Sequence, residues 1–305
     1  MIRTRTLSLL SPLLAFAFAL AASASPALSA DGPLRIIVFG AHPDDAELDA
    51  GGTAALWAKQ GHKVKFVSVT NGDIGHHKQA GAILARRRAA EVQECAKILG
   101  ITTDVLDIHD GELLPTLENR RAITRKIRDW KADIVISHRP NDYHPDHRYT
   151  AQLVQDAAFM VIVPSFCPDS PALRENPVFL YSEDSFRKPN PFEPEVVVPI
   201  DDVIDLKAKC YAALESQFME WNPWLFSYEN EVPEGAEARL EYASKKVAAR
   251  QAGTANRFRA VLAEELGQEA AGKVRAAEAF ELCEYGAQPS KEELRKMFPL
   301  PKQSP

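Results

Sequence analysis

The sequence predicts an α/β fold, with one mostly parallel sheet covered by helices on both faces. Short apolar, β-branched runs at 34–39, 64–69, 105–108 and 134–137 alternate with longer stretches of helical periodicity, the pattern of a parallel sheet built from crossover units. The first and last of these runs pass directly into clusters of histidine and aspartate, at 41–47 and 142–147. In open α/β sheets that edge is where ligands bind. With 305 residues, 46% of them hydrophobic, the chain can bury a good core as a single domain.

In chain order, Arg3 and Arg5 precede an apolar run from Leu7 to Ala22, and small residues continue to Ala30. That is the layout of a secretory signal peptide. Ser23, Ser25 and Pro26 interrupt the run, which is short for a membrane span, so an uncleaved anchor ranks below cleavage. Residues 31–305 are therefore expected as a secreted or periplasmic domain with no stable membrane insertion. The chain holds 42 acidic and 36 basic residues, and the leader removes only arginines. An acidic domain is a poor partner for nucleic acid or anionic lipid. Cys95, Cys167, Cys210 and Cys283 match no zinc-ribbon or redox spacing and read as buried thiols.

The stretch 46–60 reads as a helix with Leu48, Leu56 and Trp57 as apolar positions; Gly51 and Gly52 near its start point to a close approach by a strand or a ligand. Strand 64–69 ends in the glycine-bearing loop 70–77, a site wall or a plain turn. Helix 79–99 stops at Gly100, with Arg88 and Glu91 beside its apolar stripe. An acidic loop at 107–112 leads to a helix ending near Trp130. A helix at 149–161, strands at 178–181 and 195–200, an irregular proline segment at 188–194, a helix at 201–217 capped by Asp201 or Asp202, and one or two helices in 235–266 complete the expectation.

In the first cluster, His42, Asp44 and Asp45 place an imidazole and two carboxylates at one point, with Pro43 stiffening the turn. Two groups at i and i+3 can share a cation and leave the carboxylate between them free. The second cluster, Asp142-Tyr143-His144-Pro145-Asp146-His147, can supply a further ligand.

Together with Gly51-Gly52-Thr53, Thr70-Asn71-Gly72-Asp73, Arg88 with Glu91, Lys207, Ser216-Gln217 and Ala277-Glu278-Ala279-Phe280, these motifs resemble the LmbE-like (PIG-L) family of zinc-dependent N-deacetylases over nearly the whole chain after the leader. The resemblance implies a Rossmann-like three-layer sandwich, Zn2+ on His42, Asp45 and His147, and Asp44 as general base. Many members have Glu directly after the two aspartates, where this chain has Ala46 and then Glu47. The implied substrate is an N-acetylated amino sugar or glycoconjugate of the N-acetylglucosamine type.

The chemistry asks for the same parts. Two histidines and a carboxylate leave zinc an open position, where the pKa of water falls toward neutrality, and a base must collect its proton. The leaving amine needs an acid and the oxyanion a donor; His144 suits both, and Asp146 suits the orientation of a histidine ring through Nδ1–H. Arg88, Asp73, Asp142 and Tyr143 are the candidate substrate contacts. His62 reads as an exposed residue before a strand; His109 and His138, near strand ends, could approach the site but read first as hydrogen-bonded scaffold residues; His76, His77, Trp221 and Trp224 could touch a substrate. Two other readings compete. A carbohydrate- or metal-binding protein without turnover would need neither Asp44 nor His144, and a dinucleotide binder would need Gly-x-Gly-x-x-Gly after the first strand, which is absent.

Overall fold

The computed structural model describes residues 32–301; the leader expected at 1–30 lies outside the described residues. Seven strands form one sheet in the order β3-β2-β1-β4-β5-β7-β6. They are β1 (Arg35–Gly40), β2 (Lys63–Ser68), β3 (Thr102–Val105), β4 (Ile134–Ser137), β5 (Val178–Ser182), β6 (Val196–Pro199) and β7 (Ala277–Gly286). The first five run parallel, and β7 lies antiparallel between β5 and β6. Ten helices accompany them among the described residues: α1 (Asp45–Lys59), α2 (Gly81–Leu99), α3 (Leu117–Trp130), α4 (Pro145–Met160), α5 (Ile204–Ala213), α6 (Asn222–Leu225), α7 (Ala236–Arg257), α8 (Arg259–Leu266), α9 (Gln268–Lys273) and α10 (Lys291–Met297).

The strand period of two divides the core. Ile36 and Val38 of β1 pack with Ala50, Trp57, Val92 and Cys210 on the face covered by α1, α2 and α5. Ile37 and Phe39 pack with Ile123, Ile127, Leu153 and Ala157 of α3 and α4 on the other. The result is a three-layer sandwich. All four cysteines are buried and unbonded. Because β1 has β2 on one side and β4 on the other, the chain switches direction between β1 and β4, and their carboxyl ends open a crevice.

Several local expectations shift. β3 lies at Thr102–Val105 and not at 105–108, in register with Lys65–Ser68 of β2. α4 starts at Pro145, four residues earlier than its apolar periodicity suggests. The helix expected at 201–217 is broken: α5 ends at Ala213 and a π-helical turn spans Ser216–Trp221. At the break Glu91 accepts from Ser216 N–H (2.9 Å) and Ser216 Oγ (2.5 Å). Asp201 caps nothing; its carboxylate accepts from Arg275 N–H and Ala276 N–H. Of the paired glycines only Gly52 is cramped, since a Cβ there would stand 2.7 Å from Ile200 Cδ1 and 3.0 Å from Glu278 Oε1.

Candidate active site

Each cluster rides on a loop that leaves one strand at the crevice. At Gly40 the chain turns so tightly that a Cβ would lie 2.7 Å from Asp45 Cβ. His42 N–H then donates to Asp45 Oδ2 (2.8 Å), which pins that carboxylate beside its own histidine. After β4, His138 Nε2 accepts from Ala41 N–H (3.0 Å) and ties the two loops together. His144 caps α4, its Nδ1 accepting from Asp146 N–H (3.2 Å), and His147 follows three residues on.

Three donor atoms meet there. His42 Nδ1 is 3.4 Å from Asp45 Oδ2, Asp45 Oδ2 is 3.5 Å from His147 Nε2, and His147 Nε2 is 3.3 Å from His42 Nδ1. Ligands bound tetrahedrally about 2.0–2.1 Å from zinc stand roughly 3.3–3.4 Å apart, so this triangle has the size of one face of such a site. The outer ring nitrogens face carboxylates. His42 Nε2 faces Asp110 Oδ1 (3.1 Å) and Asp146 Oδ2 (3.3 Å), and His147 Nδ1 faces Asp142 Oδ2 (3.2 Å). The carboxylates behind His42 hold the proton on its far nitrogen and leave the inner lone pair free; Asp142 stands close to His147 Nδ1 without completing a hydrogen bond to it. Other groups of donors also lie close enough to hold an ion, including Asp45, His138 and His147, and His42, Asp110 and Asp146. The last is closed from behind, because Asp146 is fully buried and accepts from Gly111 N–H (2.6 Å).

Asp44 and Asp45 point differently because Asp44 is the N-cap with non-helical backbone while Asp45 is the first helical residue of α1. Asp44 Oδ1 pairs with Arg88 Nη2 (3.2 Å). Burial raises the Asp44 pKa above its ordinary value, against the opposing Arg88 guanidinium. Burial also opposes charge on Asp45, but His147 and His138 outweigh it and hold that carboxyl well below the usual range. Against the same burial, Asp110, Asp146 and Asp45 hold His42 well above its ordinary value. The surroundings of these imidazoles therefore favour positive charge. His144 is lowered, first by burial and then by the charges on His42 and His147. With Nδ1 accepting a backbone N–H, its neutral form carries the proton on Nε2.

A cavity of about 310 Å³ opens here, bordered by His42, Asp44, Asp45, His144, His147 and Asp110. Its outer wall joins Gly75 to the π-helical turn, where Gln217 Nε2 donates to Gly75 O (3.0 Å). Tyr143, 72% exposed, borders the cavity as a substrate contact would. Arg88 reaches the wall, but it is buried and its guanidinium holds Pro43 O, Gly72 O and Asp44. Asp142 sits behind His147. Asp73 is not part of this cavity's lining: it accepts from Asp110 N–H (3.1 Å) and pairs with His109 (2.7 Å), setting the 107–112 loop. Asp146 meets a histidine as expected, although the ring is that of His42 and the nitrogen is Nε2. Asp110 enters the site unanticipated by its local sequence, and His138 approaches it from the end of β4, as its place near a strand end allowed.

The family model described as "PIG-L: GlcNAc-PI de-N-acetylase" matches residues 37–158, the segment carrying both clusters. The diacetylchitobiose deacetylase of Thermococcus kodakarensis is 31% identical over 204 residues, 63% of this chain and 74% of that one. The chain belongs to the PIG-L (LmbE-like) family. Its scaffold also matches the N,N'-diacetylchitobiose deacetylase of Pyrococcus horikoshii with a TM-score of 0.61, at 23% identity over 81% of this chain and 83% of that one. A further relative, the 4-oxalmesaconate hydratase of Pseudomonas putida, is 24% identical over 67% of this chain and 80% of its own length. Relatives of this PIG-L chain thus carry names for two different reactions.

Proposed function

We propose that this chain is an exported, zinc-dependent hydrolase that removes the acetyl group from an N-acetylated amino sugar or glycoconjugate. The observation that carries the reading is the triangle of His42 Nδ1, Asp45 Oδ2 and His147 Nε2 beside a separate carboxylate, Asp44, and a half-buried histidine, His144. A zinc ion held by those three atoms would act as a Lewis acid, polarising the amide carbonyl and acidifying water. Asp44, pressed up in pKa by burial, takes a proton from water at the cavity floor. His144 donates from Nε2 to the developing oxyanion or to the departing amine. Arg88 holds Asp44 in place, while Asp110, Asp142 and Asp146 hold the two imidazoles.

The substrate class rests on the relatives' deacetylase names, and the hydratase relative supplies the competing outcome. Purified protein loaded with zinc and offered N-acetylglucosamine, N,N'-diacetylchitobiose and related glycosides should release acetate. Hydration of an unsaturated carboxylic acid with no acetate from any sugar would move the chain to the hydratase reading. A tightly bound sugar that is never hydrolysed would favour a non-catalytic binder. Export is tested separately, by the intact mass of protein recovered outside the cytoplasm; an N-terminus between about Ser25 and Asp31 is expected from small-residue cleavage rules, and retained Met1 would count against it.

A further inference from the structure

Two of the four cysteines meet on one face of the sheet. Cys95 of α2 and Cys210 of α5 lie 115 residues apart in sequence, and each thiol sits against the other's backbone: Cys95 Sγ is 3.5 Å from Cys210 O, and Cys210 Sγ is 3.8 Å from Cys95 O. Side chains that reach each other's main chain in this reciprocal way stand on facing sides of two packed helices, the placement a disulfide needs. The other two thiols face different groups: Cys167 Sγ lies against Arg121 O, and Cys283 Sγ lies against Tyr181 Oη on the opposite face of the sheet.

A free cysteine packs as a small apolar side chain, and one buried thiol needs no further reason. Two thiols in contact are different, because the compartment decides their state: an oxidising one joins them and a reducing one keeps them apart. The unbonded pair seen here is the reduced form. The side-chain hydrogen bond with Cys210, and then burial, raise the Cys95 pKa far above its ordinary value, so the folded pair holds little of the thiolate that exchange requires. Both side chains are also closed to solvent. A bond between them therefore has to form while α2 and α5 are still coming together, and once formed it is shielded from reductant.

We propose that the exported chain carries a disulfide between Cys95 and Cys210, which locks α2 to α5 behind the active site. The proposal rests on the export reading and is independent of the reaction catalysed. Two S–H bonds break and one S–S bond forms; the two electrons and two protons pass to a disulfide oxidant, such as oxidised glutathione, which leaves as two thiols. The lock lies where it supports the site. Arg88, which holds Asp44, stands about two turns before Cys95 on α2, and Glu91, about one turn before it, holds Ser216 at the start of the π-helical turn that follows α5. Joining the two helices braces the wall of the active-site cavity from behind.

Alkylation of the denatured protein with N-ethylmaleimide, before and after reduction, tests the bond. Protein recovered outside the cytoplasm should take two labels before reduction and four after it, and peptide mapping should join Cys95 to Cys210. Four labels before reduction overturn the proposal. Refolding separates the bond from export. Reduced, denatured chain refolded in a glutathione redox buffer should recover the same single bond and melt about 5–10 °C above chain refolded with dithiothreitol. Four free thiols, mixed pairings or equal melting points overturn it. If the protein is found in the cytoplasm with Met1 retained and refolding still joins Cys95 to Cys210, the export reading falls and the pairing stands.

Discussion

Two clusters of buried charge touch helix α1, and they are built on opposite plans. At Gly52 the Glu278 carboxylate accepts from Gly52 N–H (2.8 Å), Thr53 N–H (2.7 Å) and Thr53 Oγ1 (2.6 Å), and it pairs with Lys207, whose ammonium also donates to Leu48 O. One positive charge faces one negative charge, with hydrogen bonds to spare. At the first turn, Asp44, Asp45, Asp110, Asp142 and Asp146 surround four imidazoles and one guanidinium, and two of the imidazole nitrogens face each other 3.3 Å apart. Asp146 Oδ1 is left without a partner. A balanced, satisfied cluster holds a helix in place; one with converging lone pairs and surplus negative charge has the chemistry of a cation site.

The largest expected effect breaks the second cluster. His42→Ala, Asp45→Ala and His147→Ala should each take bound zinc from about one equivalent to near none and lower acetate release by roughly 1000-fold, since a site cut from three protein ligands to two binds metal poorly. Elemental analysis checks the metal directly. Equal zinc in wild type and all three variants would show that the triangle is not the site.

The converse substitution breaks the first cluster. Lys207→Met strands a buried carboxylate and should cost about 3–5 kcal/mol, read by denaturant unfolding, while the protein that remains folded keeps its zinc. Loss of zinc without loss of stability would erase the distinction drawn between the clusters. A smaller effect separates the two aspartates within the site. Asp44→Asn should retain zinc and lower kcat by roughly 100-fold, the range for a lost general base, and His144→Ala should behave alike. Zinc loss in Asp44→Asn would exchange the roles of Asp44 and Asp45.

How much of this was legible in the sequence follows from how local each feature is. The strand-to-cluster junctions after β1 and β4 are contiguous, so the crevice and the His42, Asp45 and His147 set could be read along the chain. Strand β7 could not: its alanines and glutamates have poor strand propensity, and its place comes from pairing with β5 and β6 on either side. Asp110 escaped for the same reason, since its partner His42 lies 68 residues away, and the bond from Ala41 N–H that fixes His138 at the site spans 97 residues. Arg88 stood out as a lone charge near an apolar stripe, but only the folded chain brings it to Asp44 and Gly72, where its guanidinium fills the space that a Cβ on Gly72 would need.

The smallest effect concerns Asp184, which lies between the two plans: it has a guanidinium nearby and still lacks a donor on Oδ2. Burial outweighs Arg139 and pushes its pKa up to about 6 from an ordinary 3.8. Between those values the folded protein holds a proton that the unfolded chain releases, so this contribution to stability is fully present below about pH 4 and is lost as pH rises through about 6. A tenfold difference in proton affinity is worth about 1.4 kcal/mol, and solvent screens part of the sum, which leaves an effect on the order of 2 kcal/mol. Asp184→Asn removes the titration. Wild type and variant should therefore be alike near pH 4, and the variant should gain on wild type by that amount as pH rises to 7, read from unfolding curves at each pH. A gap that stays constant from pH 4 to 7 would show that Asp184 does not titrate in this window.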